Sequence, residues 1–132
     1  MAVAASAMLS QGEAQQDGSV GELISGGRDA AAAALTGLSA VVVAPLLEER
    51  FFRGYTLPWL ASFLPVPAAL AASSMAFAAF HGLGPGLVPF TALGAVFGGV
   101  FLATGGNLAA SSLSHSVYNA AVVATLLWEA SR

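Results

Sequence analysis

The stretch Pro45-Leu46-Leu47-Glu48-Glu49-Arg50-Phe51-Phe52-Arg53-Gly54 sets two carboxylates and two guanidiniums within six positions of one another. From Ala30 to Trp128 no other residue carries a formal charge, apart from whatever protons His81 and His115 hold. On insertion scales an ionised side chain at the centre of a lipid-facing helix costs roughly 2.5–3.5 kcal/mol. A cluster kept in such surroundings points to pairing, to chemistry, or to both.

The surroundings follow from composition. The chain is 57% hydrophobic and 8% charged, with no lysine and no cysteine. A soluble domain carries about 25% charged residues, so this one reads as a membrane protein. Without cysteine there is no disulfide framework, no thiolate nucleophile and no cysteine-ligated metal. A net charge of −3 offers no basic surface for nucleic acid.

Outward from the cluster, four apolar segments can be marked: Ala30 to Leu47 continuing towards Leu60, Pro65 to His81, Leu87 to Thr104, and Leu108 to Trp128. At 1.5 Å per residue, segments of this length approach the thickness of a bilayer's hydrocarbon core, although Pro65 to His81 is marginal alone. The breaks fall at Leu64-Pro65, at Gly82-Leu83-Gly84-Pro85-Gly86 and at Gly105-Gly106-Asn107, all turn-forming sequences. Trp59 and Trp128 stand near segment ends, where interfacial aromatics are favoured. A soluble helix needs a polar face, and these segments have almost none. Gly94 and Gly98 make a small-residue surface of the kind that lets membrane helices approach closely. The expected fold is all-α, a polytopic membrane helix bundle with about four transmembrane helices.

Residues 1–29 differ, being rich in Ala, Gly, Ser and Gln, and are expected to form a flexible polar tail or the remnant of a longer chain. Met1–Leu9 is apolar but too short to span and lacks a positive flank, so it makes a poor secretory signal. The expected core is 30–129.

Helical geometry separates the two glutamates. Glu49 and Arg53 are spaced i, i+4 with the acid on the N-terminal side, the favourable order for an ion pair. Glu48 is turned about 100° away and has Phe52 at its own i+4 position. One carboxylate has a built-in partner; the other is free to serve as a general base. His81 closes the second segment, with Phe77 one turn earlier on the same face. His115 lies well inside the fourth segment, with Asn119 one turn later. An imidazole and an amide inside lipid need partners, either as glue between helices or as a functional pair. Together these are parts for activating water and stabilising an oxyanion. A zinc site of one Glu and two His is compositionally available, whereas no H-E-x-x-H helix occurs.

The same residues carry a family resemblance. Glu48-Glu49-Arg50-Phe51-Phe52-Arg53 fits E-E-x-x-x-R, Phe77-Ala78-Ala79-Phe80-His81 fits F-x-x-x-H, and His115-Ser116-Val117-Tyr118-Asn119 fits H-x-x-x-N. Three such motifs, in order and on separate apolar segments, resemble the CPBP (Abi) family of intramembrane proteases. That family includes the type II CAAX prenyl endopeptidases and bacteriocin self-immunity proteins. The resemblance covers about Ala30 to Leu127. It implies an endopeptidase acting in the bilayer on a membrane-associated or prenylated peptide. The implied catalytic group is Glu48, Glu49, His81, His115 and Asn119. Within it Glu48 and His81 would activate water, and His115 with Asn119 would stabilise the oxyanion. Glu49 with Arg53 would hold the first helix in shape, and Phe77 would give support. Either a metal-free glutamate mechanism or a divalent metal such as zinc, held by Glu48, His81 and His115, fits the resemblance.

The competing reading is a non-proteolytic membrane scaffold or an immunity-like binding protein, since some relatives act that way. A rhomboid-like serine protease using Ser111 or Ser112 has no supporting serine motif, and aspartyl chemistry lacks an aspartate in the apolar region. An integral, multi-pass location is expected. The stretch Pro65-Val66-Pro67-Ala68-Ala69 resembles plastid and cyanobacterial members, while the balance of arginines across a four-span topology is tied, leaving a bacterial inner membrane or a plastid membrane open.

Overall fold

The computed structural model describes residues 30–130 and 132, so expectations for the tail at 1–29 lie outside the described residues. Four helical rods account for nearly all of the described chain, with no strand among the described residues. The first rod is composite: α1 (Ala30–Leu38), a π-helical stretch (Ser39–Val43), α2 (Ala44–Phe51), a second π-helical stretch (Phe52–Thr56) and α3 (Leu57–Ala61). Then follow α4 (Val66–His81), α5 (Leu87–Ala103) and α6 (Leu108–Ala130). These boundaries match the four apolar segments to within two residues.

The two π stretches have a local cause. Each runs out just before a proline, Pro45 or Pro58, in the first turn of the next helical section. A proline inside a helix has no N–H to donate and crowds the carbonyl four residues back. Widening the preceding turn relieves that clash without breaking the rod. The ladder then closes through longer bonds, from the Ala44 N–H to the Ser39 carbonyl and from the Leu57 N–H to the Phe52 carbonyl. Glu48, Glu49 and Arg50 lie between the two widened turns, and Arg53 lies within the second.

The remaining ends are set by turn chemistry. Pro65 precedes α4 in an extended conformation (φ −55°, ψ 142°) and Pro67 occupies its first turn. After α5, Gly105 and Gly106 take positive φ (70° and 86°), and the Gly106 N–H returns to the Phe101 carbonyl at 2.8 Å. Asn107 then caps α6, its Oδ1 accepting from the N–H groups of Ala109 (3.0 Å) and Ala110 (3.2 Å).

Packing between α4 and α5 rests on small residues. A methyl group built on Gly94 would lie 3.0 Å from the Ser74 Cα, and one on Gly98 would collide with the end of the Leu70 side chain. Both glycines are buried, as the small-residue surface anticipated. One apolar cluster joins Phe52, Phe77 and Phe97, with Phe90, Leu93 and Tyr118 around it. A second joins Leu57, Ala69 and Phe101. The outward face of the first rod stays bare: Leu47, Phe51, Tyr55, Trp59 and Phe63 recur every four residues and all are exposed. The stretch 31–61 is long and apolar enough to cross a membrane; α4 and α5 are apolar but shorter, at 16 and 17 residues.

Candidate active site

The charged cluster sits where α2 meets α4, α5 and α6. Glu49 is completely buried and holds three donors. Its Oε1 accepts from Arg53 Nη1 at 2.8 Å and from His115 Nδ1 at 3.0 Å, and its Oε2 accepts from the Ser111 hydroxyl. The intrahelical ion pair expected from spacing is therefore present, with two donors from α6 added to it.

Arg53 is equally enclosed. Its Nη2 donates to the Gly94 carbonyl at 2.7 Å, so one guanidinium links α2 to α5. That planar group lies 4.8 Å from the Phe77 ring centroid, with Phe97 at 5.7 Å and Phe52 at 5.9 Å. Aromatic faces suit a buried cation by their quadrupole, and a planar fork suits both acceptors at once. This explains Phe77 in the second motif: its ring lies under the arginine and edge-on to His115, 5.7 Å between centroids.

The Phe77 carbonyl has a further task. It stands 2.8 Å from His81 Nδ1. A carbonyl only accepts, so that nitrogen carries the proton. The ring is stacked on Phe90 at 4.8 Å, which leaves Nε2 facing inward, 3.6 Å from Glu48 Oε2. His115 repeats the arrangement from the other side. Its Nδ1–H goes to Glu49, its ring stacks on Phe97 at 4.4 Å, and its Nε2 lies 3.9 Å from the same Glu48 oxygen. Both histidines are thus held as Nδ1–H tautomers by their outer partners, with both Nε2 atoms turned to one carboxylate.

Glu48 contrasts with its neighbour. Its Oε2 is buried and has no hydrogen-bond partner among the described residues. The side chain as a whole retains 19% exposure, against 0% for Glu49. Separations of 3.6 and 3.9 Å are too long for direct hydrogen bonds, yet one water can touch Glu48 Oε2 and either Nε2 at ordinary length. A carboxylate, two imidazole lone pairs and a partly open face make a site for a polarised water. Among the described residues no three His, Asp or Glu side chains form a group that could hold a metal ion.

Asn119 is placed differently from the other four. Its Nδ2 donates to the Ala40 carbonyl, 2.8 Å away in the first π stretch, and not to Glu48 or either histidine. One hydrogen of that amide is thereby used and one remains.

Several participants were not read from the sequence: Ser111, the Gly94 and Ala40 carbonyls, and the stacking rings of Phe90 and Phe97. Only Ser111 left a signal. Ser111, His115 and Asn119 recur every four residues on α6, one polar stripe on a helix that also carries Ser112, Ser114 and Ser116. The two carbonyls come from backbone, which no side-chain pattern announces.

The sequence model described as type II CAAX prenyl endopeptidase Rce1-like matches residues 30–121, which hold all three motifs and the whole of the cluster. No curated protein and no solved structure matches the chain.

Proposed function

The chain belongs to the Rce1-like family of type II CAAX prenyl endopeptidases, and on that premise we propose that it cleaves a peptide bond of a prenylated or membrane-associated substrate with water activated by Glu48. The observation that carries the proposal is the inequality of the two glutamates. Glu49 is committed to three donors, while Glu48 Oε2 is buried, unpartnered and faced by two Nε2 atoms.

In this reading Glu48 takes a proton from the water as its oxygen attacks the scissile carbonyl, and His81 Nε2 orients that water. Glu48 then returns the proton to the amide nitrogen as the C–N bond breaks. The tetrahedral oxygen is stabilised by His115 and by the second hydrogen of the Asn119 amide. Because Nδ1–H of His115 is committed to Glu49, its Nε2 can donate to an oxyanion only as the imidazolium, with Glu49 supporting the added charge. Glu49 and Arg53 are positioning residues. No step is routed through a metal.

The four rods are proposed to span the bilayer, with the bare face of the first rod in lipid. Its 31 residues extend about 46 Å, longer than the hydrocarbon core, so the rod tilts or its ends reach the headgroups. Exposed Trp59 near its end suits that interface.

The test is cleavage of a farnesylated peptide ending in a CAAX sequence by the purified protein in liposomes. The wild type should cut with chelator present or absent, and Glu48→Gln should not cut. Turnover by Glu48→Gln at the wild-type rate would remove Glu48 from the chemistry and favour a scaffold.

A further inference from the structure

We infer that Ser111 is a positioning residue for the reaction, holding the Nδ1–H of His115 on Glu49 by fixing the Glu49 carboxylate. The inference deepens the proteolytic reading and rests on it for the role of His115. The three motifs contain no place for this serine, which lies one turn before His115 and is completely buried.

The argument begins with how a carboxylate is held. The last torsion of a glutamate is broad and nearly two-fold, so its plane must be set by donors. Glu49 has three. Arg53 and His115 converge on Oε1, and Ser111 alone serves Oε2. Two donors on one oxygen leave the group free to turn about them; the third, on the other oxygen, stops it. The Ser111 Oγ also lies 3.1 Å from the Phe97 carbonyl, a second acceptor that shares its single proton. Phe97 also stacks on the His115 ring, so one turn of α5 sets both the serine and the imidazole it serves.

The consequence falls on one ring nitrogen. With the carboxylate fixed, His115 keeps its proton on Nδ1, and Nε2 remains turned to Glu48. Without the hydroxyl, Glu49 Oε2 is a buried acceptor with no donor, and the carboxylate rotates towards one. His115 then loses its fixed acceptor, and the Nε2–H tautomer, which the Nδ1–H bond to Glu49 excludes, becomes populated. His81 is insulated from this change, because its own tautomer is set by the Phe77 carbonyl.

The chain contains only two histidines, which makes the inference directly readable. Protein labelled with 15N-histidine should give two ring systems, each reporting its tautomer through the shifts of its two nitrogens. In Ser111→Ala the His115 signals should move towards a tautomer mixture while those of His81 stay in place. Ser111→Thr, which keeps the hydroxyl, should retain the wild-type pattern. On the farnesylated peptide Ser111→Ala should lower kcat about ten- to a hundredfold, the range seen when the outer partner of a functional histidine is removed, with KM within about twofold. An unchanged His115 pattern in Ser111→Ala overturns the inference whatever the rate does. Should Ser111→Ala fail to fold, Ser111→Cys is read instead; its weaker donor should shift the same signals, and unshifted signals overturn the inference equally. A wild type whose two histidines are both Nδ1–H but which never cuts would refute the proteolytic reading and leave the Ser111–Glu49–His115 linkage standing.

Discussion

At the scale of single residues, two adjacent glutamates do opposite work because a helix turns about 100° between them. Glu49 faces inward onto Arg53, Ser111 and His115; Glu48 faces a partly open edge with two imidazoles. Their substitutions should separate accordingly. Glu48→Gln keeps size and removes the proton acceptor, so folded protein should accumulate normally while cleavage is lost, as read by size-exclusion yield alongside peptide turnover. Arg53→Ala should do the reverse. It leaves a buried carboxylate short of its cation and the Gly94 carbonyl without its side-chain donor. Breaking such a pair costs roughly 3–5 kcal/mol, so the folded fraction in detergent should fall sharply. Arg53→Lys should be intermediate, since a single ammonium cannot reproduce the planar fork between Glu49 and Gly94. Normal yield of an inert Arg53→Ala protein would instead place Arg53 at the substrate.

At the scale of elements, α4 and α5 set the site by how closely they approach. Gly94 meets backbone, its added methyl falling 3.0 Å from the Ser74 Cα, so Gly94→Ala must push α5 away from α4. Overpacking of this kind costs about 1–3 kcal/mol, and it also withdraws the carbonyl that Arg53 uses. Gly98→Ala meets only the flexible end of Leu70, and Gly99→Ala meets nothing within 4 Å. Thermal unfolding in detergent should therefore rank Gly94→Ala as most damaging, with Gly99→Ala neutral or slightly stabilising from helix propensity. Equal effects at the three positions would contradict the close approach. Asn119 acts at the same scale: its amide ties α6 to the π stretch at Ala40. Asn119→Ala should lower turnover about a hundred- to a thousandfold if it also supplies an oxyanion donor. The lost bond to Ala40 should cost about 1 kcal/mol of stability as well. A stability loss with turnover unchanged would leave Asn119 as a clamp only.

At the scale of the whole molecule, the four spans proposed above require a definite topology. The turns after α3 and α5 should lie on one side of the membrane, and the turn after α4 with the C-terminal end on the other. The absence of cysteine gives a clean background for reading this. Single cysteines replacing Ser62 and Thr104 should react with an impermeant maleimide from one face of sealed vesicles, and one replacing Leu83 from the opposite face. Labelling of all three from the same side would rule out four spans.

The ends of the four rods were legible in the amino-acid order, because Pro65, the glycine-rich turn after His81 and the Gly105-Gly106-Asn107 turn are local signals that need no tertiary context. The Glu49–Arg53 pair was legible too, since both partners ride on one helix and i, i+4 spacing is itself a distance. The motifs named Glu48, His81, His115 and Asn119 as polar groups that hydrocarbon would not leave alone. They did not say which atom would meet which. That Glu49 holds three donors while Glu48 Oε2 has none depends on Ser111 and His115 arriving from 62 and 66 residues away. The arginine's second acceptor is a carbonyl 41 residues distant, exposed to it because a glycine lets two helices touch. Spacing along one helix is encoded locally. The partners of a buried polar group are chosen by helix packing, and only the folded bundle decides them.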